Sequence, residues 1–319
     1  MPPILEVDHL VKKYGDFTAV RGISFTIQAG EIFSLLGPNG AGKTTTIAML
    51  STLYRPTQGD ARIDGHSITK EPMAVRQIIG VVPQELALYE DLTGRENLAF
   101  WGQMYGLSGK ALKDRSVEVL EQIGLADRAD QRVKTYSGGM KRRVNIGVGL
   151  LHKPRLLFMD EPTVGIDPQS RRAILDSVKE LNRQGMTVLY PTHYMEEAQE
   201  LSDRVGIIDH GELIALGTQD ELTRQVGEND ALILHVGEGA DAGPLAAALR
   251  DLHGVLEADV SDSAGDGAIV TVIAPSAEEI LAPAITRANE AGIKIRAVEI
   301  QEPNLEAVFL HLTGRGLRD

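Results

Sequence analysis

The spacing of hydrophobic positions changes along the chain, and the changes mark its elements. "ILEVDHLVKKY" opens with a two-residue period. "ISFTIQAGEIFSLLG" reads as two strands joined at Ala29-Gly30. "ARIDGHSI" predicts a hairpin with Asp64-Gly65 at its turn. Residues 95–107, 110–123 and 137–152 carry helical spacing. "RLLFMD" is short and apolar throughout, as strands covered on both faces of a parallel sheet are. "SRRAILDSVKELNRQG" predicts an amphipathic helix closed by Gly185. "MTVLYPTH" and "RVGIIDHG" predict two more buried strands, with the helix "MEEAQELS" between them. Strands and helices in alternation imply an α/β core built on a parallel sheet.

The pattern shifts near residue 225. It becomes strand (Ala231–Val236), helix (Gly243–Leu252), strand (Gly254–Val260), strand (Ala268–Ala274), helix (Ser276–Ala291) and strand (Ile293–Ile300). This β-α-β-β-α-β order predicts a small ferredoxin-like α+β domain. A last helix, Pro303–Thr313, follows, and the polar "RQVGEND" is the predicted linker. The expected domains are thus 1–224 and 225–319.

Length and composition narrow the functions. A chain of 319 residues accommodates two domains, and 43% hydrophobic with 24% charged residues is ordinary globular usage. The net charge of −13 excludes the basic footprint of a nucleic-acid binder, so no nucleic acid is expected as partner. With no cysteine there are no disulfides and no thiolate metal sites, which suits a cytosolic protein. The opening "MPPILEVDHLVKKYG" has no signal-peptide pattern. No apolar run approaches the ~20 residues of a membrane span, so this chain is not expected to cross a membrane by itself.

Two stretches carry chemistry. "GPNGAGKTT", Gly37–Thr45, fits G-x-x-x-x-G-K-[ST] between an apolar strand and a helix. Glycines at 37, 40 and 42 let successive backbone N–H groups turn toward phosphate oxygens, and the following helix adds its positive end. Lys43 supplies charge to the β- and γ-phosphates, and Thr44 a hydroxyl to Mg²⁺. "LLFMDEP" then sets Asp160 and Glu161 at the C-terminal end of a buried strand, where open α/β sheets bind ligands. Asp160 is placed to hold Mg²⁺, and Glu161 to orient an attacking water. By contrast, "YSGGMKRRVNIG" read alone is a loop ending in a helix cap.

Taken together, the motifs resemble the ATP-binding subunit of an ABC transporter over roughly residues 3–225. "VVPQ" at 81–84, "YSGGM" at 136–140, "GIDP" at 165–168 and "PTHYMEEA" at 191–198 join the phosphate loop and the acidic pair in the order and at the spacing of that family. The resemblance implies an α/β P-loop (RecA-like) ATPase core. An N-terminal antiparallel β-subdomain and a helical subdomain at about 85–152 complete it. It implies ATP and Mg²⁺ as cofactors and a homodimer closing head to tail on two ATP. The loop residues Gly37, Pro38, Asn39, Gly40, Ala41, Gly42, Lys43, Thr44 and Thr45 would bind one nucleotide from one side. Ser137, Gly138 and Gly139 of the second copy would cover its γ-phosphate, the glycines leaving room for the phosphate. Tyr14 matches the aromatic that stacks on adenine, and Gln84 the glutamine that reaches Mg²⁺ and the water. Asp167 matches the aspartate that communicates across the dimer, and His193 the histidine on the γ-phosphate.

The chain departs from the commonest signature, Leu-Ser-Gly-Gly-Gln, at Tyr136 and Met140. "YSGGMKRR", "THYMEEA" and the tail "EPNLEAVFLHLTGRG" resemble the daunorubicin-resistance branch of bacterial exporters. That branch implies a separate membrane-spanning permease and a cytoplasmic location on the inner face of the membrane. Leu86, Leu88, Tyr89 and Leu92 are candidates for the permease contact, or equally for burial in the helical subdomain. An importer ATPase and a soluble non-transport ABC ATPase remain the alternative readings.

Overall fold

The structure is a computed structural model that describes residues 2–224, 229–237, 242–263, 267–301 and 304–313. Most of the predicted linker, and Pro303, lie outside the described residues. The chain forms two compact units that part after Thr218.

In the first unit, β1 (Leu5–Tyr14) and β2 (Phe17–Ile27) form a hairpin in which Tyr14 pairs with Phe17. β3 (Ile32–Leu36) and α1 (Lys43–Leu50) follow. β4 (Gln58–Ile63) returns to pair with β1, and β5 (His66–Ser67) completes a four-stranded antiparallel sheet of order β2-β1-β4-β5. The turn falls at Asp64-Gly65, with φ of 48° and 83°, the positive values a type I′ hairpin needs.

The chain continues through α2 (Pro72–Ile78), β6 (Ile79–Val82) and the helices α3 (Gly94–Met104), α4 (Gly109–Gln122) and α5 (Gly138–Leu150). β7 (Leu156–Met159), α6 (Pro168–Arg183), β8 (Thr187–Thr192), α7 (Met195–Leu201), β9 (Arg204–Asp209) and β10 (Glu212–Gly217) complete the unit. Their sheet has the order β10-β9-β3-β8-β7-β6, parallel except for β10. Period two divides each inner strand between two cores. Leu157 and Met159 face a core shared with α5 and α6, while Leu156 and Phe158 face one shared with α1 and the antiparallel sheet.

Helix starts follow local chemistry. Thr93 and Glu96 form a reciprocal capping box on α3. Ser137 caps α5, and Asp167 with Pro168 opens α6. Two strands escape the sequence pattern. β6 is four residues long, and β10 is a half-buried antiparallel edge.

The second unit holds α8 (Gln219–Thr223), β11 (Asp230–Val236), α9 (Gly243–Arg250), β12 (Glu257–Ser263), β13 (Gly267–Ala274), α10 (Ala277–Glu290), β14 (Ile295–Gln301) and α11 (Leu305–Thr313). The antiparallel order β12-β13-β11-β14 is that of a ferredoxin-like sheet. Leu232, Leu234, Val270 and Val272 of its strands pack on Leu245 and Ile280 of its helices. β12 begins three residues later than the pattern predicts. Gly254, at φ 92°, and the bond from Val255 N to Leu252 O hold that stretch in a turn.

Candidate functional site

Parallel strands deliver their following loops to one edge. The phosphate loop leaves β3, Gln84 follows β6, Asp160 and Glu161 follow β7, and His193 follows β8. Gln84 and Glu161 line a cavity of about 280 Å³ with Asn39, Gly40, Gly42, Lys43, Thr44, Thr45, Phe17 and Ala19.

The loop's glycines have different causes. Gly42 sits at φ 108°, where an added Cβ would also lie 2.7 Å from Ala19 O. Gly37 is not at positive φ. Its Cβ would lie 2.1 Å from Ile208 O of β9, so it is glycine to let the two backbones touch, not to let the loop bend.

Lys43 is buried, and its Nζ donates to Gly37 O at 2.7 Å and Pro38 O at 3.0 Å. The same nitrogen lies 3.1 Å from Glu161 Oε1. Thr44 Oγ1 donates to Asp160 Oδ1 across 3.5 Å. Burial pushes the Asp160 carboxyl pKa up; the Thr44 hydroxyl and the Lys43 charge oppose this, and the charge of Glu161 adds to it. Glu161 is held at φ 44°, in the left-handed region, where a side chain costs about 1–2 kcal/mol. Its N–H donates to Pro191 O at 3.2 Å, and its carbonyl accepts from Val164 N. Pro191 therefore lies beside Glu161; it pairs with Leu35 of β3 on its other side, while the β7–β8 ladder ends two residues earlier at Phe158 and Leu189. His193 Nδ1 lies 3.2 Å from Glu161 Oε1. The approach is off the hydrogen-bonding direction, and this nitrogen is buried without a hydrogen-bond partner.

The Gly37–Thr45 loop, Gln84, Asp160, Glu161 and His193 are thus brought together. The other predicted residues lie elsewhere. Ser137 accepts from Met140 N at 3.2 Å as the cap of α5, and Asp167 accepts from Ser170 N at 2.9 Å as the cap of α6. The two caps are neighbours: a Cβ on Gly139 would lie 2.3 Å from Ser170 Oγ, and one on Gly138 would lie 3.6 Å from Ile166 Cδ1. Gly139 makes room for Ser170, whereas among the described residues nothing crowds Gly138. Tyr14 is not in the cavity wall; its ring meets Tyr54 edge-on, while Phe17, its cross-strand partner, lines the cavity. Among the permease candidates, Leu86 and Tyr89 are exposed and Leu88 packs on the core.

An ABC transporter family model matches residues 20–164. The chain is 48% identical over 316 residues to the linearmycin resistance ATP-binding protein of Bacillus subtilis, spanning 99% of this chain and 100% of that one. It belongs to the ABC transporter ATP-binding proteins. The cassette is also 40% identical to the daunorubicin/doxorubicin resistance ATP-binding protein of Streptomyces peucetius, over 99% of this chain and 94% of that one. Among solved structures it resembles cbiO1 from Clostridium perfringens, part of an ABC transporter complex (TM-score 0.64, 28% identity, 71% of this chain and 95% of that one). It also resembles a cassette in a dimeric post-hydrolysis state bound to ADP and Pi (TM-score 0.61, 28% identity, 67% and 98%). The chain is accordingly an ATPase that uses MgATP. ATP-binding subunits of this family dimerise and work with membrane permeases; among the described residues no helix is long and apolar enough to cross a membrane.

The cassette also contains a link that motif reading misses. Arg142 of α5 is buried and donates to Pro83 O at 3.1 Å and Gln84 O at 2.7 Å. Asn145 donates to Pro83 O and accepts from Ala87 N. The helix that starts at Ser137 is thereby bonded to both sides of Gln84. A buried Arg and Asn on an otherwise apolar helical face were the only signal in the sequence.

Proposed function

We propose that this ATPase is the motor of an export transporter. Two copies close on two MgATP and drive a drug, antibiotic, lipid or similar compound through a separate permease. The reading of its site rests on the convergence of Lys43, Thr44 and Glu161 at one cavity, with Asp160 bonded to Thr44 behind it. Export is supported by the full-length likeness to the linearmycin and daunorubicin/doxorubicin resistance proteins. The unpartnered Nδ1 of His193 and the paired oxygens of Thr44 and Asp160 fit a magnesium-bound triphosphate. When bound, Mg²⁺ would neutralise charge on the phosphates, held by Thr44, Asp160 and Gln84.

The chain's own residues do the rest. Lys43 would give its charge to the β- and γ-phosphates, and Glu161 would orient the attacking water. His193, beside Glu161, would contact the γ-phosphate. Phe17, in the cavity wall, would border the base, with Tyr14 across the hairpin from it. Ser137, Gly138 and Asp167 would act on the nucleotide of the second copy. The cassette would sit on the inner face of the membrane, bound to its permease partly through Leu86 and Tyr89.

Steady-state ATPase assays with nucleotide-affinity measurements test the site. Lys43→Ala is expected to lose nucleotide affinity. Glu161→Gln is expected to keep affinity while turnover falls by about a hundredfold or more. Near-parental turnover in Glu161→Gln would refute its role.

A further inference from the structure

Glu197, in the first turn of α7, is 2% exposed, and its carboxylate gathers donors from three places. Oε1 accepts from Thr163 Oγ1 at 2.6 Å and lies 3.7 Å from Arg171 Nε of α6. Oε2 accepts from Tyr190 OH at 2.9 Å and Thr192 Oγ1 at 3.2 Å. Each bond has a place relative to the site. Thr163 is two residues beyond Glu161. Thr192 immediately precedes His193, and its Oγ1 also accepts from Tyr194 N at 3.0 Å, so His193 is pinned on both sides. The Arg171 guanidinium lies 4.6 Å from the centre of the Tyr194 ring, which in turn lies 4.1 Å from the His193 ring.

We propose that Glu197 is a positioning residue for ATP hydrolysis. It joins the turn after Glu161 to the end of β8 and so sets the relation between Glu161 and His193. The hydrogen bonds of Glu197 go to Thr163, Tyr190 and Thr192, so its effect passes through the backbone that Thr163 and Thr192 share with Glu161 and His193. A buried carboxylate is costly to desolvate, and removing it strands three hydroxyl groups and leaves Arg171 without its carboxylate. The geometry the network holds is that of two groups 3.2 Å apart, where an ångström of drift matters to catalysis. The inference rests on the proposed roles of Glu161 and His193.

The test uses Glu197→Gln, which keeps shape, and Tyr190→Phe, which removes one donor with little change of volume. Glu197→Gln is expected to lower kcat about tenfold or more while KM and nucleotide affinity stay within about threefold. Thermal midpoints should stay within a few degrees of the parent, and Tyr190→Phe should show a smaller loss of the same kind. Glu197→Gln is then added to His193→Ala and single-turnover hydrolysis is measured. The double variant should be no slower than His193→Ala alone, because the two act through one element. Parental kcat in both single variants overturns the proposal. So does a fully multiplicative loss in the double variant, or a fall in affinity and thermal midpoint that accounts for the lost activity. Parental Glu197 variants beside a dead Glu161→Gln overturn this inference alone. Parental turnover in both Glu161→Gln and His193→Ala overturns the site reading and this inference with it.

Discussion

At the scale of single residues, the site places charge where folding disfavours it. Asp160 is the clearest case, because burial pushes its carboxyl pKa up. The folded chain therefore holds this proton to higher pH than the unfolded chain does. The site's contribution to stability falls as pH rises from about 3.9 through the raised folded value, and stays low above it. Asp160→Asn removes that dependence. At neutral pH and without nucleotide its thermal midpoint should equal or exceed the parent's. The advantage should shrink as pH is lowered through the window, while Mg²⁺-dependent nucleotide affinity falls about tenfold or more. Calorimetry across pH, with nucleotide titrations, measures both. The loop and acidic motifs were legible because a phosphate cradle needs fixed residue types at fixed spacing within one stretch of chain. Phe17 and Glu197 were not legible. One is an aromatic on a hairpin and the other an acid on a helix, and only their tertiary neighbours distinguish them.

Among elements, α5 carries more than its cap. Its two leading glycines should separate in experiment. Gly139→Ala drives a Cβ into Ser170 and should lower stability by about 1–3 kcal/mol. Gly138→Ala should leave the thermal midpoint nearly unchanged yet impair nucleotide-driven association of two copies, checked by sedimentation in a Glu161→Gln background. Arg142→Met should free the segment that α5 holds. Pro83 O and Gln84 O each lose a charged donor, at a cost of about 1–3 kcal/mol, and hydrogen exchange at Gln84 to Ala87 should accelerate. Helices and long buried strands were legible as periodicity. β6 was not, because four residues are too few to show a period. The start of β12 was misplaced because Val255 and Leu256 are apolar although the chain is still turning there.

For the whole molecule, the decisive experiment is native purification of tagged protein from membranes, followed by identification of what copurifies. A stoichiometric polytopic permease is the expected result. A permease with a separate external binding protein would favour an importer, and cytosolic partners alone a non-transport ATPase. By itself, the sequence determined the α/β class, the β-α-β-β-α-β order of elements in the second unit, and the motif residues of the phosphate loop and the acidic pair. These are local properties: hydrophobic period reports which face is covered, and a phosphate loop is complete within nine residues. Tertiary structure decided what depends on approach between distant segments. It put Ser170 against Gly139, Ile208 against Gly37, Arg142 under Gln84, and Glu197 between the two strand ends that carry Glu161 and His193. In each case a close contact between segments far apart in the chain gives an ordinary residue its role, and the spacing of one stretch does not record what will later pack against it.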